Sequence, residues 1–132
     1  MSLTMALLVL AMFMAPSVLA SPGAPSAVTF TVNSTLDQPD ELTIAGTCHT
    51  SANTCTLRAA VMQANRRSGA GATILIPAGI YTLTIPIKGG DGEENGDLNL
   101  TTPGSGNPVI TITGASATTI DANQRMQRMD IE

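Results

Sequence analysis

A mainly β fold with a single short helix is predicted by three features of this sequence. From Val28 onward, short runs alternate apolar residues with Thr; one segment alone carries helical spacing; and aromatic residues make up 2% of the chain. Alternation with a period of two marks half-buried strands. Short strands of Ile, Leu, Val and Thr fit either a β-sandwich or the successive coils of a parallel β-helix. A sandwich of this size needs larger side chains in its core, whereas stacked coils need only Ile, Leu and Val.

The N-terminal residues read as a signal peptide over 1–20. Leu3 to Ala15 is almost continuously apolar and is followed by Pro16-Ser17-Val18-Leu19-Ala20, the order of an apolar region, a helix breaker and a small-residue cleavage site. Cleavage is expected before Ser21, with Val18 and Ala20 at the positions a peptidase reads. An uncleaved anchor is the alternative, although the apolar run falls short of the about 20 residues a spanning helix needs. No Lys or Arg precedes the run, so the α-amino group is its only positive charge. The leader also inflates the 43% apolar content. Residues 21–27 then form a polar, flexible lead-in, and 28–132 a single small domain.

Within that domain, Val28, Phe30 and Val32 alternate with Thr29, Thr31 and Asn33 as the first strand. Asp37 to Glu41, with Pro39 inside, is a polar turn. Leu57, Ala60, Val61 and Ala64 recur at helical spacing behind Thr54-Cys55-Thr56, and Arg66 and Arg67 precede Gly69. A cap, an apolar stripe, C-terminal cations and a glycine stop together predict a helix over 56–67, with Met62 filling space at its edge. Further strands are expected at Thr73 to Ile76, Ile80 to Ile85, around Leu98 and Leu100, at Val109 to Thr113, and at Thr118 to Asp121. One more could run through Met126, Met129 and Ile131. Lys88 to Gly96 is a glycine-rich loop.

Charge and cysteine content narrow the classes of function. The net charge is -4 with 6 basic residues, so no basic stripe is offered to nucleic acid and no polybasic patch to a membrane surface after leader cleavage. Cys48 and Cys55 are the only cysteines. In an exported chain two such neighbours most simply pair with each other. Zinc fails on ligand count, since His49 is the single histidine.

Several separated motifs resemble one family. Cys55-Thr56-Leu57-Arg58-Ala59-Ala60, Gln63-Ala64-Asn65, Ile74-Leu75-Ile76-Pro77-Ala78-Gly79-Ile80-Tyr81-Thr82-Leu83, Gly96-Asp97-Leu98, Ile110-Thr111-Ile112-Thr113-Gly114-Ala115 and Thr119-Ile120-Asp121 look like the CSLREA-type domain of bacterial exported proteins. The resemblance runs from about Val28 onward, in the family's order. It implies the start of a right-handed parallel β-helix of the pectin-lyase-like kind, with one short N-terminal capping α-helix. A solenoid's first coil exposes apolar side chains and unpaired backbone groups, so a cap with a polar outer face is expected. Ala59 departs from the family's Glu. The family also continues into more coils, and about three repeats are needed for a stable stack, so this chain is expected to behave as an incomplete solenoid.

The candidates for chemistry are few. Asp91, Glu93, Asn95 and Asp97 place oxygens at alternate positions with Gly96 at the sixth place, as a Ca²⁺ loop would; Thr102 stands where a bidentate Glu is needed, and a solvated turn is the alternative. Glycoside hydrolysis needs two facing carboxylates, for which Asp121 and Asp130 are the available pair. Arg58 is expected to be structural, its fork of donors meeting orphan carbonyls at the end of the first coil. Asn65 is expected to bond backbone near the helix end. His49 reads as a turn residue. These readings converge on a secreted or cell-surface, non-catalytic structural or adhesive module, without cofactor unless calcium binds, whose partner is an extracellular glycan or surface protein. The alternative is the remnant of a carbohydrate-active β-helix, a polysaccharide lyase or hydrolase.

Overall fold

The structure is a computed structural model that describes residues 26–42, 44, 46–67, 69–88, 92–101 and 109–123. The expected leader, its cleavage site, Asp91, Asp130 and the strand expected through Met126 to Ile131 lie outside the described residues. No helix among the described residues is long and apolar enough to cross a membrane.

Five strands and one helix follow in the order β1 (Val28–Thr31), α1 (Leu57–Asn65), β2 (Ala72–Ile76), β3 (Gly79–Thr82), β4 (Ile110–Gly114) and β5 (Thr118–Asp121). They form two small parallel sheets, β1-β2-β4 and β3-β5. The pairings stack like on like. Phe30 lies on Ile74 and Ile74 on Ile112, while Tyr81 lies on Ile120. The alternate rows, Thr29-Thr73-Thr111 and Thr31-Leu75-Thr113, face outward. This is the period-two pattern at work: one row per strand is removed from water and its neighbour carries hydroxyls that tolerate solvent.

Each unit turns a corner between its two strands, and the corners also stack. Ala115 N–H donates to the Ile76 carbonyl at 2.9 Å, and Gly79 N–H to the Ala117 carbonyl at 3.1 Å. Thr118 Oγ1 reaches the Pro77 carbonyl at 3.1 Å. The Tyr81 hydroxyl donates to that same carbonyl at 2.9 Å, so the one buried phenol has a partner, as a buried hydroxyl requires.

Burial falls along the stack. Phe30 and Ile74 are 4% and 0% exposed, whereas Ile112, in the same row, is 40% exposed. The core gathers Phe30, Val32, Ile74, Ile76 and Tyr81 against Leu57, Ala60, Val61 and Ala64 of α1. The helical stripe read from spacing is thus the stripe that faces the core.

Three expectations need correction. The helix ends at Asn65, with Arg66 as its C-cap, so neither Arg66 nor Arg67 lies in the last turn; their guanidinium groups are drawn instead to Asp40 and to the Ser26 carbonyl. No strand forms around Leu98 and Leu100, where Asn99 and Thr101 give their backbone groups to Asn65. The strand expected over Ile80 to Ile85 stops at Thr82, because the N–H groups of Thr84 and Ile85 turn to Asp37.

Gly71 opens β2 with φ +69°, and a Cβ built there would lie 2.6 Å from the Val109 carbonyl oxygen. That carbonyl accepts the Ala72 N–H at 3.1 Å, so strand pairing and side-chain space compete at this point. Gly71→Ala is expected to destabilise the fold by about 2 kcal/mol or more, read as a lower urea midpoint with an unchanged slope. A midpoint equal to that of the parent chain would show that β2 and β4 do not approach as described.

Candidate functional site

The densest chemistry lies around α1, and it begins with the N-cap. Thr56 is extended, and its Oγ1 accepts the Ala59 N–H at 3.1 Å, satisfying one of the orphan donors of the first turn. The same hydroxyl donates to the Gln38 carbonyl. Immediately before it, Cys55 is joined to Cys48 with their Cα atoms 5.2 Å apart, and its N–H donates to Asn33 Oδ1 at 2.8 Å. The disulfide expected from the cysteine count is therefore present, and it fixes the segment that starts the helix.

All nine helix residues are buried, which an amphipathic surface helix would not be. One face meets the core. The others are roofed by two loops, and the polar residues of α1 bind those roofs. Arg58 and Asp37 form an ion pair whose side chains are 0% and 2% exposed, with Arg58 Nε 2.6 Å from Asp37 Oδ1 and Nη2 3.1 Å from Oδ2. The rest of the fork donates to carbonyls of Gly96 at 2.7 Å, Asp97 at 3.3 Å and Glu93 at 3.4 Å. Asp37 Oδ2 also accepts the N–H groups of Thr84 and Ile85 at 2.6 and 2.9 Å.

A second anchor is Asp40, whose Oδ2 accepts from Gln63 Nε2 and from Arg66 Nη1, the latter at 2.8 Å. Its Oδ1 accepts the His49 N–H at 2.8 Å, and its own N–H reaches the Met62 thioether at 3.3 Å. Met62 is 1% exposed, so it is a fully buried contact under the loop rather than a filler at the helix edge. Asn65 Nδ2 donates to Glu93 Oε1 and to the Asn99 carbonyl, at 2.8 and 2.7 Å, while its Oδ1 accepts the Thr101 N–H at 2.9 Å. Asn65 thus binds backbone as expected, but backbone far along the chain.

The other expected residues fall into place around this cluster. Leu57, Ala59 and Ala60 are buried in α1, with Ala59 at 0% exposure; a Glu there would have to bury a carboxylate. Gly96 holds φ +72°, and a Cβ built there would lie 2.6 Å from Ile87 Cγ1; its carbonyl accepts from Arg58. Gly79 and Tyr81 lie in β3, and Tyr81 joins the core that packs on α1. Of the calcium candidates, Glu93 turns its carboxylate to Asn65 and Thr101, and Asn95 Oδ1 accepts the Lys88 N–H at 3.1 Å. Among the described residues no three His, Cys, Asp or Glu side chains gather as a metal site would require. Asp121 Oδ1 accepts the Asn123 N–H at 2.8 Å. His49 Nε2 pairs with Asn53 Oδ1 at 2.7 Å inside the disulfide loop.

Sequence reasoning missed Asp37, Asp40, Gln63 and Glu93 as partners. Asp37 and Asp40 flank Pro39 in what reads as an ordinary turn, and no local spacing links them to a helix some twenty residues on. A polar triplet of Arg58, Gln63 and Asn65 inside a nine-residue helix was the available signal: Arg58 and Asn65, seven apart, share one face and Gln63 lies on another, so partners are required on two sides.

The end of the stack farthest from β1 presents a different surface. Leu57, Val61, Leu83, Leu98, Leu100, Ile112, Ile120 and Ala122, with Asp97, line an apolar hollow of about 370 Å³. No family model matches the chain, and no match to it was found among curated proteins or solved structures.

Three outcomes follow from the anchors and the disulfide. Burial pushes the Asp37 carboxyl up, but the Arg58 hydrogen bonds, the Ile85 and Thr84 N–H groups and the Arg58 charge outweigh it and hold the group below its ordinary value of 3.8. A depressed carboxylate contributes stability that is complete above the unfolded value and fades as pH falls through the lower folded value. Urea midpoints should therefore be level above about pH 5 and fall on acidification below the ordinary carboxylate range, and Asp37→Asn should flatten that fall. Arg58→Met should cost about 3 kcal/mol or more at neutral pH by stranding a buried carboxylate. Reduction of Cys48–Cys55 should cost roughly 2 to 3 kcal/mol, read from the same midpoints with and without reductant; a larger effect of reduction than of Arg58→Met would reverse the ranking proposed for these restraints.

Proposed function

We propose that this chain is an exported, non-catalytic structural or adhesive module, the CSLREA-like cap and first coils of a right-handed parallel β-helix. The observation that carries this reading is the in-register parallel stacking of β1-β2-β4 and β3-β5 beside a helix buried on every side. A solenoid grows by adding such rungs, and its first rung needs a cover over apolar side chains and unpaired backbone. The disulfide is compatible with an extracellular location, which agrees with the leader expected over 1–20. On this reading the module works at the cell surface or in the medium, and its partner is an extracellular glycan or surface protein.

The carbohydrate-active alternative needs paired carboxylates free to flank a glycosidic bond. Asp37, Asp40 and Glu93 are instead committed to Arg58, to Gln63 and Arg66, and to Asn65. Their chemistry is that of fasteners.

Expression of the full chain in a bacterium, followed by fractionation and N-terminal sequencing, is expected to give a disulfide-bonded product that begins at Ser21 outside the cytoplasm. Incubated with polygalacturonate or neutral glucans, that product should release neither unsaturated ends nor reducing sugar. Retention in the cytoplasm would overturn the exported reading, and sugar release lost on Asp121→Asn would establish the carbohydrate-active one.

A further inference from the structure

Asn95 and Gly96 bring together two demands of the fold that chemistry sets against each other. Gly96 holds φ +72°, and Ile87 fills the space its Cβ would need, so glycine is required there. Asn95 Oδ1 accepts the Lys88 N–H at 3.1 Å, and the Asn95 N–H closes a turn on the Gly92 carbonyl at 3.2 Å. Meeting both demands produces an Asn-Gly step. Asn95 alone among the asparagines of the sequence precedes a glycine. An asparagine amide carbon is electrophilic, the following backbone nitrogen is its nearest nucleophile, and a residue without Cβ obstructs that approach least.

The folded chain holds both reacting groups. Gly96 is buried, and its N–H donates to the Ile85 carbonyl at 3.1 Å. Turning that nitrogen toward Asn95 Cγ would break this bond, and turning the amide would break the one from Lys88. The Gly96 carbonyl accepts from Arg58 Nη2 at 2.7 Å, the shortest of the three carbonyl contacts that complete the fork of the buried Arg58–Asp37 pair. The labile step and the principal anchor of the helix therefore share a residue.

We propose that Asn95-Gly96 is a site of spontaneous covalent modification, shielded while the segment 93–97 is closed and reactive whenever it opens. The Gly96 nitrogen gives its proton to solvent base and attacks Asn95 Cγ. The Cγ–Nδ2 bond breaks, and ammonia leaves with a proton from water. Water then adds to either carbonyl of the five-membered imide, giving aspartate or an isoaspartate whose main chain runs through Cβ and Cγ. Isoaspartate lengthens the path into Gly96 by one carbon, about 1.5 Å, so Gly96 cannot keep both its Ile85 and its Arg58 bonds. Opening of the roof over α1 is thereby recorded irreversibly.

The test incubates the intact, disulfide-bonded chain in mildly alkaline buffer, with and without denaturing guanidinium chloride. Fragmentation mass spectrometry follows the mass gain that marks an amide turned into a carboxyl. In denaturant the gain should appear first at Asn95, and in the native chain it should be slower there by about tenfold or more, in proportion to the rarity of opening. The aged chain, separated by its extra negative charge and refolded, should then unfold at a lower urea midpoint than Asn95→Asp, which carries the same charge on an unlengthened backbone. Equal rates in the two conditions, earlier reaction at another asparagine in denaturant, or an aged chain as stable as Asn95→Asp would overturn the proposal.

Discussion

An ion pair with side chains removed from water, Asp37 with Arg58, is the constraint on which the rest of the structure depends. Two charges taken from solvent are tolerated only if the pair is close and every remaining donor and acceptor is met. Meeting them requires the carbonyls of Glu93, Gly96 and Asp97 on one side and the N–H groups of Thr84 and Ile85 on the other. Four stretches of chain that share no sheet are thereby brought to a single point. The helix can be buried on all sides because its one cation is the place where the roofing loops are fastened.

If α1 is the solenoid cap proposed above, that arrangement departs from the simplest version of one, in which a helix shows a polar face to water. Here the polar side chains of α1 face protein. Arg58 and Asn65 hold the segment 93–101, while Gln63, with Arg66 just beyond the helix, holds the segment 40–42. The disulfide adds a covalent restraint where the second of these loops returns to the helix start. Each neutral hydrogen bond contributes about 1 kcal/mol net, whereas losing one partner of a buried charge pair costs several times that. The polar network therefore outweighs the disulfide in holding the roofs down, and the disulfide chiefly limits how far they could open.

The opposite end follows a different logic. Its strands obey the same alternation and stack on the same rows, yet their inward side chains are less buried. Ile74 is covered on both sides by β1 and β4, whereas among the described residues Ile112 has a strand on one side only.

Much of this was legible in the residues. Alternation of Ile with Thr placed β4 and β5 to within a residue, because the side-chain period of a strand is a local property. The core-facing stripe of Leu57, Ala60, Val61 and Ala64 was legible for the same reason, and so were a cap within Thr54-Cys55-Thr56 and the pairing of Cys48 with Cys55, the only two cysteines. Only the tertiary structure decided where α1 stops, why Leu98 and Leu100 form no strand, and what Asn65 and Arg58 hold. Each of those outcomes rests on a partner 20 to 40 residues away, as in Arg58 with Asp37 and Gly96 or Asn65 with Asn99. Periodicity records which face of an element leaves water; it carries no information about which distant carbonyl will satisfy a buried donor.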